Sequence, residues 1–144
     1  MNRLIPLTLL LFVLAAPPTL EVSASSLNAS PQTLESYVGK YPSELFKGMP
    51  AIRRRLRTLL GANYSFFMQR LQTEMPIESD DGALVARGCM AHSCGIEEAV
   101  LVINLGDGKI HCAILSSKYG GKFKVFSEDK AHLPLALHRA MKQP

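Results

Sequence analysis

The sequence lacks the patterns that most enzymes require. No glycine-rich phosphate loop and no recognisable grouping of a nucleophile with a base occurs along its 144 residues. The acidic pair Asp80-Asp81 precedes Gly82, which is typical of a turn rather than of a catalytic site. We therefore predict that the protein is not an enzyme, and that it has no catalytic residues, no metal and no cofactor.

Cysteine is scarce as well, with only Cys89, Cys94 and Cys112 in the chain. None of them lies near the N-terminus, which argues against a lipid anchor on a processed N-terminal cysteine. The C-x-x-C pair of dithiol oxidoreductases and the C-x-x-C-H motif of haem attachment are both absent. A thioredoxin-type redox site and a covalently attached haem are therefore excluded.

The chain has one long apolar run, LIPLTLLLFVLAA at residues 4–16. This run is shorter than a transmembrane helix needs, and two prolines end it. A basic start before it and the small-x-small pattern VSA at residues 22–24 complete the features of a secretory signal peptide. We predict a signal peptide at residues 1–24, cleaved after about Ala24, and a periplasmic or secreted protein without a transmembrane segment.

Acidic residues are fewer than basic ones, 12 against 16, so that the net charge is +4. A moderate positive charge in an exported protein suits acidic partners, such as anionic lipid headgroups, acidic glycans or an acidic protein face. It is too small to indicate nucleic acid, and export argues against that partner as well. The length after cleavage fits one domain, which we place at residues 42–144 behind a partly ordered N-terminal segment at residues 25–41.

Two amphipathic helices joined by a tight turn are predicted between residues 50 and 71. The first has apolar residues at i, i+4, i+7 and i+8, which share one helical face: Ile52, Leu56, Leu59 and Leu60. Pro50 suits the first turn of this helix, and Gly61 suits its C-terminal cap. Asn63 is expected to cap the second helix, whose apolar face comprises Tyr64, Phe67, Met68 and Leu71.

The pattern changes to strands after residue 76. Four β-like stretches follow, at residues 83–91, 99–105, 109–115 and 123–127. Asp107-Gly108 is the strongest hairpin signal in the chain, and a two-residue turn there would pair Asn104 with His111. Cys112 falls on the apolar face of this hairpin, where we expect a buried thiol.

A helix at residues 133–141 closes the chain, with Leu133, Leu137 and Met141 on one face. The predicted fold class is therefore α+β. It consists of an antiparallel β-sheet of about four to five strands, with the N-terminal helix pair and the C-terminal helix packed on one side of it.

The segment GCMAHSCG at residues 88–95 brings together three potential ligands, Cys89, His92 and Cys94. A metal site would need a fourth ligand, from Cys112 or His111. Alternatively, an oxidising compartment favours a Cys89–Cys94 disulfide. That bridge would close a small loop, which either ties a strand end or presents the side chains between the cysteines to a partner. The residue types alone leave these readings open.

The same segment, followed by the apolar strand AVLVINL and a turn into KIHCAIL, resembles the inhibitor of vertebrate lysozyme family. Members of that family are exported bacterial proteins with an α+β fold. The resemblance spans roughly residues 40–130 in the order of elements, and it is specific in letters at the loop, which reads Cys-Lys-Pro-His-Asp-Cys in the family. It implies a protein partner, a lysozyme or a related lytic glycan hydrolase, whose active-site cleft receives the loop.

Position by position, Cys89 and Cys94 correspond to the bridged cysteines of the family. His92 corresponds to the histidine that enters the lysozyme cleft between its catalytic carboxylates. The other loop positions differ, because lysine, proline and aspartate of the family are replaced here by Met90, Ala91 and Ser93. The resemblance thus implies a disulfide that closes an inhibitory loop of four residues: Met90, Ala91, His92 and Ser93.

The first predicted helix is a second candidate site. Four arginines lie opposite its apolar face: Arg53, Arg54, Arg55 and Arg57. Such a face is usually just a solvated surface, but guanidinium groups also suit bidentate contacts to anions. The alternative function is therefore a cell-envelope binding module that recognises anionic glycan or lipid through this arginine-rich helix.

Two further expectations concern charge and assembly. Glu97 and Glu98 sit beside the loop, so the positive net charge does not exclude a locally acidic face there. The sequence does not fix the oligomeric state. Cys112 has no partner in the disulfide reading, and if it were exposed it could link two chains into a homodimer.

Overall fold

The computed structural model of the protein describes residues 31–142. The predicted signal peptide and residues 25–30 lie outside the described residues. The helices in the described range are α1 (Pro31–Glu35), α2 (Pro42–Gly48), α3 (Pro50–Leu60), α4 (Tyr64–Gln69) and α5 (Leu135–Ala140). The strands are β1 (Thr73–Glu74), β2 (Glu78–Asp80), β3 (Ala83–Cys89), β4 (Glu98–Asn104), β5 (Ile110–Ser116) and β6 (Lys122–Ser127). None of the helices within residues 31–142 is long and apolar enough to cross a membrane.

The strands form one antiparallel sheet in the order β1-β3-β4-β5-β6, and β2 also pairs with β3. The predicted α+β class is confirmed. The described sheet has six strands because two short ones share the outer edge of β3, one near each of its ends. These two strands are only two and three residues long, too short for an alternating pattern to be visible in the sequence.

The predicted helix pair is confirmed as α3 and α4, which pack with α2 on one face of the sheet. Ile52, Leu56 and Leu60 of α3 are buried against Leu101 and Ile114 of the central strands. Pro50 occupies the first turn of α3, and Gly61 caps its C-terminus with a positive φ, as the sequence predicted. This face contains the larger of two hydrophobic cores.

The terminal helix α5 packs on the opposite face of the sheet, so the prediction that all helices share one side was wrong. Its buried residues Ala136 and Leu137 lie in a second core with Val100 and Val102 of β4. The reason is visible in β4, where five consecutive residues from Ala99 to Ile103 are buried. Because side chains of a strand point alternately to its two faces, an unbroken apolar run requires cover on both.

The predicted hairpin between β4 and β5 exists, but its register is shifted by two residues. His111 pairs with Val102 and not with Asn104. Asn104 instead shapes a wider connection, in which its side-chain oxygen accepts from Gly106 N–H and its backbone oxygen from Gly108 N–H, each at 2.8 Å. A shift of two residues preserves the alternation of the strand, so the apolar side chains still share the predicted face.

Asn63 does not cap α4 in the way that the sequence predicts. Its side-chain amide donates to the Leu60 carbonyl at 3.3 Å, and its amide oxygen accepts from the Tyr119 hydroxyl at 3.0 Å. The oxygen that would satisfy the helix N-terminus is thus used to connect α4 to the β5–β6 turn. This contact spans 56 positions in the chain, so local sequence could not reveal it.

The strand pair β1–β3 requires a glycine at residue 88. A Cβ atom added to Gly88 would lie 2.8 Å from the carbonyl oxygen of Thr73 and 3.0 Å from the Cα of Leu71. Only hydrogen fits in that space. This close approach of two backbones lies next to Cys89, and it fixes the end of β3 from which the candidate functional loop begins.

Candidate functional site

The β3–β4 connection is the disulfide loop, residues 89–97. Cys89 is the last residue of β3 and is fully buried, and its sulfur is bonded to that of Cys94. The two Cα atoms are 5.0 Å apart, within the usual range for a bridge. The disulfide implied by the family resemblance is therefore present, and it anchors an exposed loop to a buried strand end.

His92 occupies the corner of a tight turn in this loop. The Ser93 N–H donates to the Met90 carbonyl at 2.9 Å, which closes a four-residue turn with Ala91 and His92 at its centre. The φ angle of His92 is +63°, a left-handed conformation that is uncommon for residues other than glycine but less rare for histidine. The backbone thus holds an exposed histidine at the third position of the turn.

A second turn follows immediately and returns the chain to β4. The Ser93 carbonyl accepts from the N–H groups of Ile96 and Glu97, at 3.1 and 2.9 Å. Gly95 has a φ of +85° and donates its N–H to the Glu98 carboxylate at 2.7 Å. Two consecutive hydrogen-bonded turns leave little freedom to the residues between the cysteines.

Glu97 ties the disulfide loop to the body of the domain. One oxygen of its buried carboxylate pairs with the Arg70 guanidinium, while the other accepts from the backbone N–H and the hydroxyl of Ser117 at 2.9 and 2.7 Å. The backbone of Glu97 holds the loop itself. Its carbonyl accepts from Met90 N–H and its N–H donates to the Ser93 carbonyl, both at 2.9 Å. The base of the loop is therefore fixed from inside the protein.

The charge of Glu97 is stabilised by its surroundings. Burial alone would raise the pKa of this carboxyl, since a charged group loses hydration in the interior. Hydrogen bonds from Ser117, Ser116 and Arg70 together outweigh burial and lower the pKa from 4.5 to about 2. Glu97 is therefore a carboxylate at every physiological pH, and its role is to hold structure rather than to transfer protons.

Arg70, at the end of α4, completes this buried network. It donates to the Phe66 carbonyl at 2.8 Å and to the Ser116 hydroxyl at 3.2 Å, and its guanidinium carbon lies 3.2 Å from the centre of the Phe66 ring. The Arg70–Glu97 pair thus joins α4, the disulfide loop and the end of β5. Sequence reasoning missed this pair, because arginine and glutamate are usually exposed and nothing local marks these two as buried.

Glu97 and Glu98 do not form an exposed acidic face beside the loop. Glu97 is buried and paired with Arg70, and Glu98 is half-buried with its carboxylate bonded to the Gly95 N–H. The exposed residue at this point is apolar: Ile96 is 60% exposed between these polar groups. One signal for the exposure of Ile96 was visible in the sequence. This residue precedes Glu98, the first residue of β4, and so lies outside the alternating pattern of that strand.

The remaining candidate ligands of a metal site do not join the loop. Cys112 is fully buried in the core beneath the helices, and burial raises the pKa of its thiol. His111 faces the other side of the sheet, where its Nδ1 lies 2.8 Å from the Ser127 hydroxyl. Within residues 31–142, no three His, Cys, Asp or Glu side chains gather as metal ligands would. Because Cys112 is buried, it cannot bridge two folded chains.

The arginine-rich helix is only partly available to a ligand. Arg55 pairs with the Glu128 carboxylate and donates to the Gly108 carbonyl at 2.7 Å, so it serves the structure. The other three arginines are exposed: Arg53, Arg54 and Arg57. With Pro50 and Thr58 they line a shallow groove of about 550 Å³. Two of them contact Tyr64, through a hydrogen bond at 3.0 Å and a stacked guanidinium.

Comparison with protein families matches residues 51–143 to the family described as Inhibitor of vertebrate lysozyme (Ivy). The matched range covers more than half of the chain, runs from α3 through α5, and includes the whole sheet and the disulfide loop. No curated protein and no solved structure matches the chain. The family resemblance that the loop indicated is thereby confirmed.

Proposed function

Because this chain belongs to the inhibitor of vertebrate lysozyme family, we propose that it inhibits a lysozyme or a related peptidoglycan-cleaving enzyme by inserting the disulfide loop into its active-site cleft. Family membership itself implies lysozyme inhibition, and an inhibitor rather than an enzyme. The observation that carries the finer proposal is the position of His92, exposed at a corner that is braced by the disulfide on one side and by Glu97 on the other.

The bracing favours binding because the loop is ordered before it meets its partner. Ordering a flexible loop costs binding energy, and a loop that is already held in one conformation avoids that cost. The cleft of a glycan-cleaving enzyme contains a pair of carboxyl groups about 5–10 Å apart. An imidazole has two ring nitrogens that flank one carbon and point in diverging directions, so His92 can hydrogen-bond to both groups, with one nitrogen donating and one accepting or, in the protonated ring, with both donating. Its ring would then block access of the substrate.

The neighbours of His92 would contact the walls of the cleft. Ala91 is exposed, and Met90 and Ser93 are half-buried at the sides of the loop. We add Ile96 to this set, because an isoleucine that is 60% exposed can still bury most of its side chain against a partner. Complete burial of such a side chain stabilises a complex by about 1.5–3 kcal/mol. The proposed contact surface is therefore mainly apolar, with His92 and Ser93 as its polar residues.

Export fits the same proposal. A signal peptide cleaved after about Ala24 would deliver the protein to the periplasm or the exterior, where enzymes that attack peptidoglycan act. The disulfide persists in such a compartment and keeps the loop closed.

The test is inhibition of a c-type lysozyme and of bacterial lytic enzymes by the purified protein, with His92→Ala and His138→Ala in parallel. His138 is an exposed histidine on α5, which packs on the face of the sheet opposite to α2, α3 and α4. It lies outside the disulfide loop and is therefore a matched control. We expect His92→Ala to weaken inhibition at least about 30-fold, the effect of losing a 2 kcal/mol contact. Equal inhibition by the two variants would remove the loop from the mechanism.

A second candidate function rests on the three exposed arginines of α3. Their shared groove, in which Tyr64 holds Arg53 and Arg57, suits a ligand with several negative charges, such as an anionic glycan or lipid headgroup. In that case affinity for the anionic ligand falls steeply with salt, and Arg54→Glu weakens it more than His92→Ala does. If His92→Ala weakened this affinity more than Arg54→Glu did, the result would support the disulfide loop instead.

A further inference from the structure

The disulfide loop and the β5–β6 turn (residues 117–121) extend from the same end of the sheet. The strand register places one residue of each of four strands in a row: Cys89, Glu98, Leu115 and Phe123. Since neighbouring strands are about 4.8 Å apart, the turn lies roughly 10 Å from the loop. An interface of ordinary size buries about 800 Å² per partner, which corresponds to a radius of about 16 Å. A partner seated on the loop would therefore cover the turn as well.

Direct contacts fix the turn relative to the loop. The Glu97 carboxylate accepts from both the backbone N–H and the hydroxyl of Ser117, the first residue of the turn. Arg70, which pairs with Glu97, also donates to the Ser116 hydroxyl. The two segments therefore form one surface of defined shape.

The turn and the start of β6 carry the lysine surface, which we define as Lys118, Lys122 and Lys124 with the rings of Phe66 and Tyr119. All three lysines are exposed. The Lys118 ammonium lies 4.8 Å from the centre of the Phe66 ring, and the Lys124 ammonium lies 5.1 Å from that of Tyr119. Cation–π contacts hold an ammonium group in place without neutralising its charge.

Negative charge is sparse near the lysine surface. Three carboxylates belong to this end of the sheet: Glu97, which pairs with Arg70, Glu98, which is half-buried and accepts from the Gly95 N–H, and Glu74 on β1, which is half-buried and accepts from the Ser43 hydroxyl. The opposite end of the sheet carries five acidic residues: Asp80, Asp81, Asp107, Glu128 and Asp129. Those five carboxylates are themselves paired with Arg55, Lys109 and Arg139, whereas none of the three lysines of the lysine surface forms a salt bridge within residues 31–142. Unpaired positive charge therefore lies next to the disulfide loop.

We infer that the lysine surface is the second part of the partner interface, and that it selects a target enzyme whose cleft is rimmed by acidic residues. This inference rests on the proposed function, because the loop brings the target to this end of the sheet. Complementary charge accelerates association and repels partners of the wrong sign. A strongly basic lysozyme is disfavoured by the lysine surface, whereas an enzyme with carboxylates around its cleft is steered toward it.

The test uses two probes that share one cleft. The first is a basic c-type lysozyme, and the second is the same enzyme after succinylation of its lysines, which replaces each ammonium group by a carboxylate. At an ionic strength of about 0.01 M, where the screening length is about 30 Å, the purified protein should associate with the succinylated enzyme at least about tenfold faster than with the native one. This advantage should shrink at about 1 M salt, where the screening length is about 3 Å.

Two double variants locate the effect. The change K118E/K124E should abolish the preference for the succinylated enzyme. The matched control K130E/K142E makes the same change in charge at exposed lysines that follow β6 and α5, and it should leave the preference intact. Equal association rates of the two enzyme forms at low salt would overturn the inference, and so would equal effects of the two double variants.

His92→Ala in the same assay distinguishes failure of loop insertion from failure of the lysine surface. If this variant binds like the original protein while K118E/K124E loses the preference, loop insertion fails and the lysine surface stands. If neither enzyme form binds, both fail. Vesicles of anionic phospholipid serve as a third probe. Vesicle binding that is lost in K118E/K124E, without discrimination between the enzyme forms, would assign the lysine surface to lipid headgroups and overturn the inference.

Discussion

The substitution Glu97→Gln tests whether the buried Arg70–Glu97 pair holds the disulfide loop. Glutamine has nearly the shape of glutamate and keeps one oxygen that can accept from Ser117. It loses the charge that balances Arg70, whose side chain is only 4% exposed. Removing one partner of a buried ion pair costs about 3–5 kcal/mol. We expect a value near 3 kcal/mol, because hydrogen bonds to Ser117 worth about 1 kcal/mol each are partly retained.

The measurement is urea unfolding at pH 7 with the disulfide intact. The control is Glu78→Gln, which removes the same kind of group from an exposed pair on the same sheet. Glu78 lies 3.8 Å from Arg87 and its side chain is 60% exposed, so this change should cost less than about 1 kcal/mol. Combining Glu97→Gln with Arg70→Met removes the unbalanced charge, and it should recover part of the lost stability.

The pH dependence of the free energy of unfolding tests the role of the Glu97 charge independently. The pKa of Glu97 is lowered from 4.5 to about 2 by folding, so its charge stabilises the protein fully above pH 4.5. As the pH falls from 4.5 towards 2, the carboxylate is protonated and this contribution is lost. The difference in free energy of unfolding between the original protein and Glu97→Gln should therefore be constant near neutral pH and shrink below 4.5. A cost no larger than that of Glu78→Gln, or a difference that persists unchanged at low pH, would refute the reasoning.

Four further outcomes are expected. Replacing both Cys89 and Cys94 by serine should lower the free energy of unfolding by about 2 kcal/mol, the chain entropy of so short a loop. Parallel unfolding and inhibition assays should show that inhibition is weakened by more than this loss of stability accounts for. Ala91→Pro should stabilise the loop by about 0.4–1 kcal/mol, because proline suits the second position of such a turn, and it should slow dissociation of the complex in a kinetic binding assay. Gly88→Ala should destabilise the protein by about 1–3 kcal/mol in urea unfolding, since its Cβ would lie 2.8 Å from a backbone oxygen. Without reductant, Cys112 should resist alkylation in the folded protein and give one reactive thiol per chain after unfolding; three reactive thiols would contradict the disulfide.

Local pattern was sufficient to predict α3, α4, α5 and the four longer strands, but not α1, α2, β1 or β2. The spacing of Ile52, Leu56 and Leu60 identified α3, and the Asp107-Gly108 signal identified the β4–β5 hairpin. These predictions succeeded because helix and strand periodicity depends on which side chains must be buried, and that information is local.

Long-range contacts account for what the sequence could not reveal. The β4–β5 register depended on how Asn104 folds its own connection, and the role of Asn63 depended on Tyr119, far away in the chain. The same holds at the candidate site. The letters of the loop pointed to His92, but the support given by Arg70 and Glu97 arises only when α4 and β4 are brought together.

The bracing of the disulfide loop makes most of its side chains exchangeable. The bonds that hold the loop use the disulfide, the Glu97 side chain and backbone atoms of Met90 and Ser93. Side chains at positions 90, 91 and 93 can therefore be replaced without disturbing these bonds, whereas position 92 needs a residue that tolerates a positive φ. The chain already illustrates this, since three of the four positions differ from the family letters while the loop remains closed. The fold thus holds a fixed corner whose three neighbouring side chains are interchangeable, and if the loop contacts the partner as proposed, a few local substitutions would suffice to change the target.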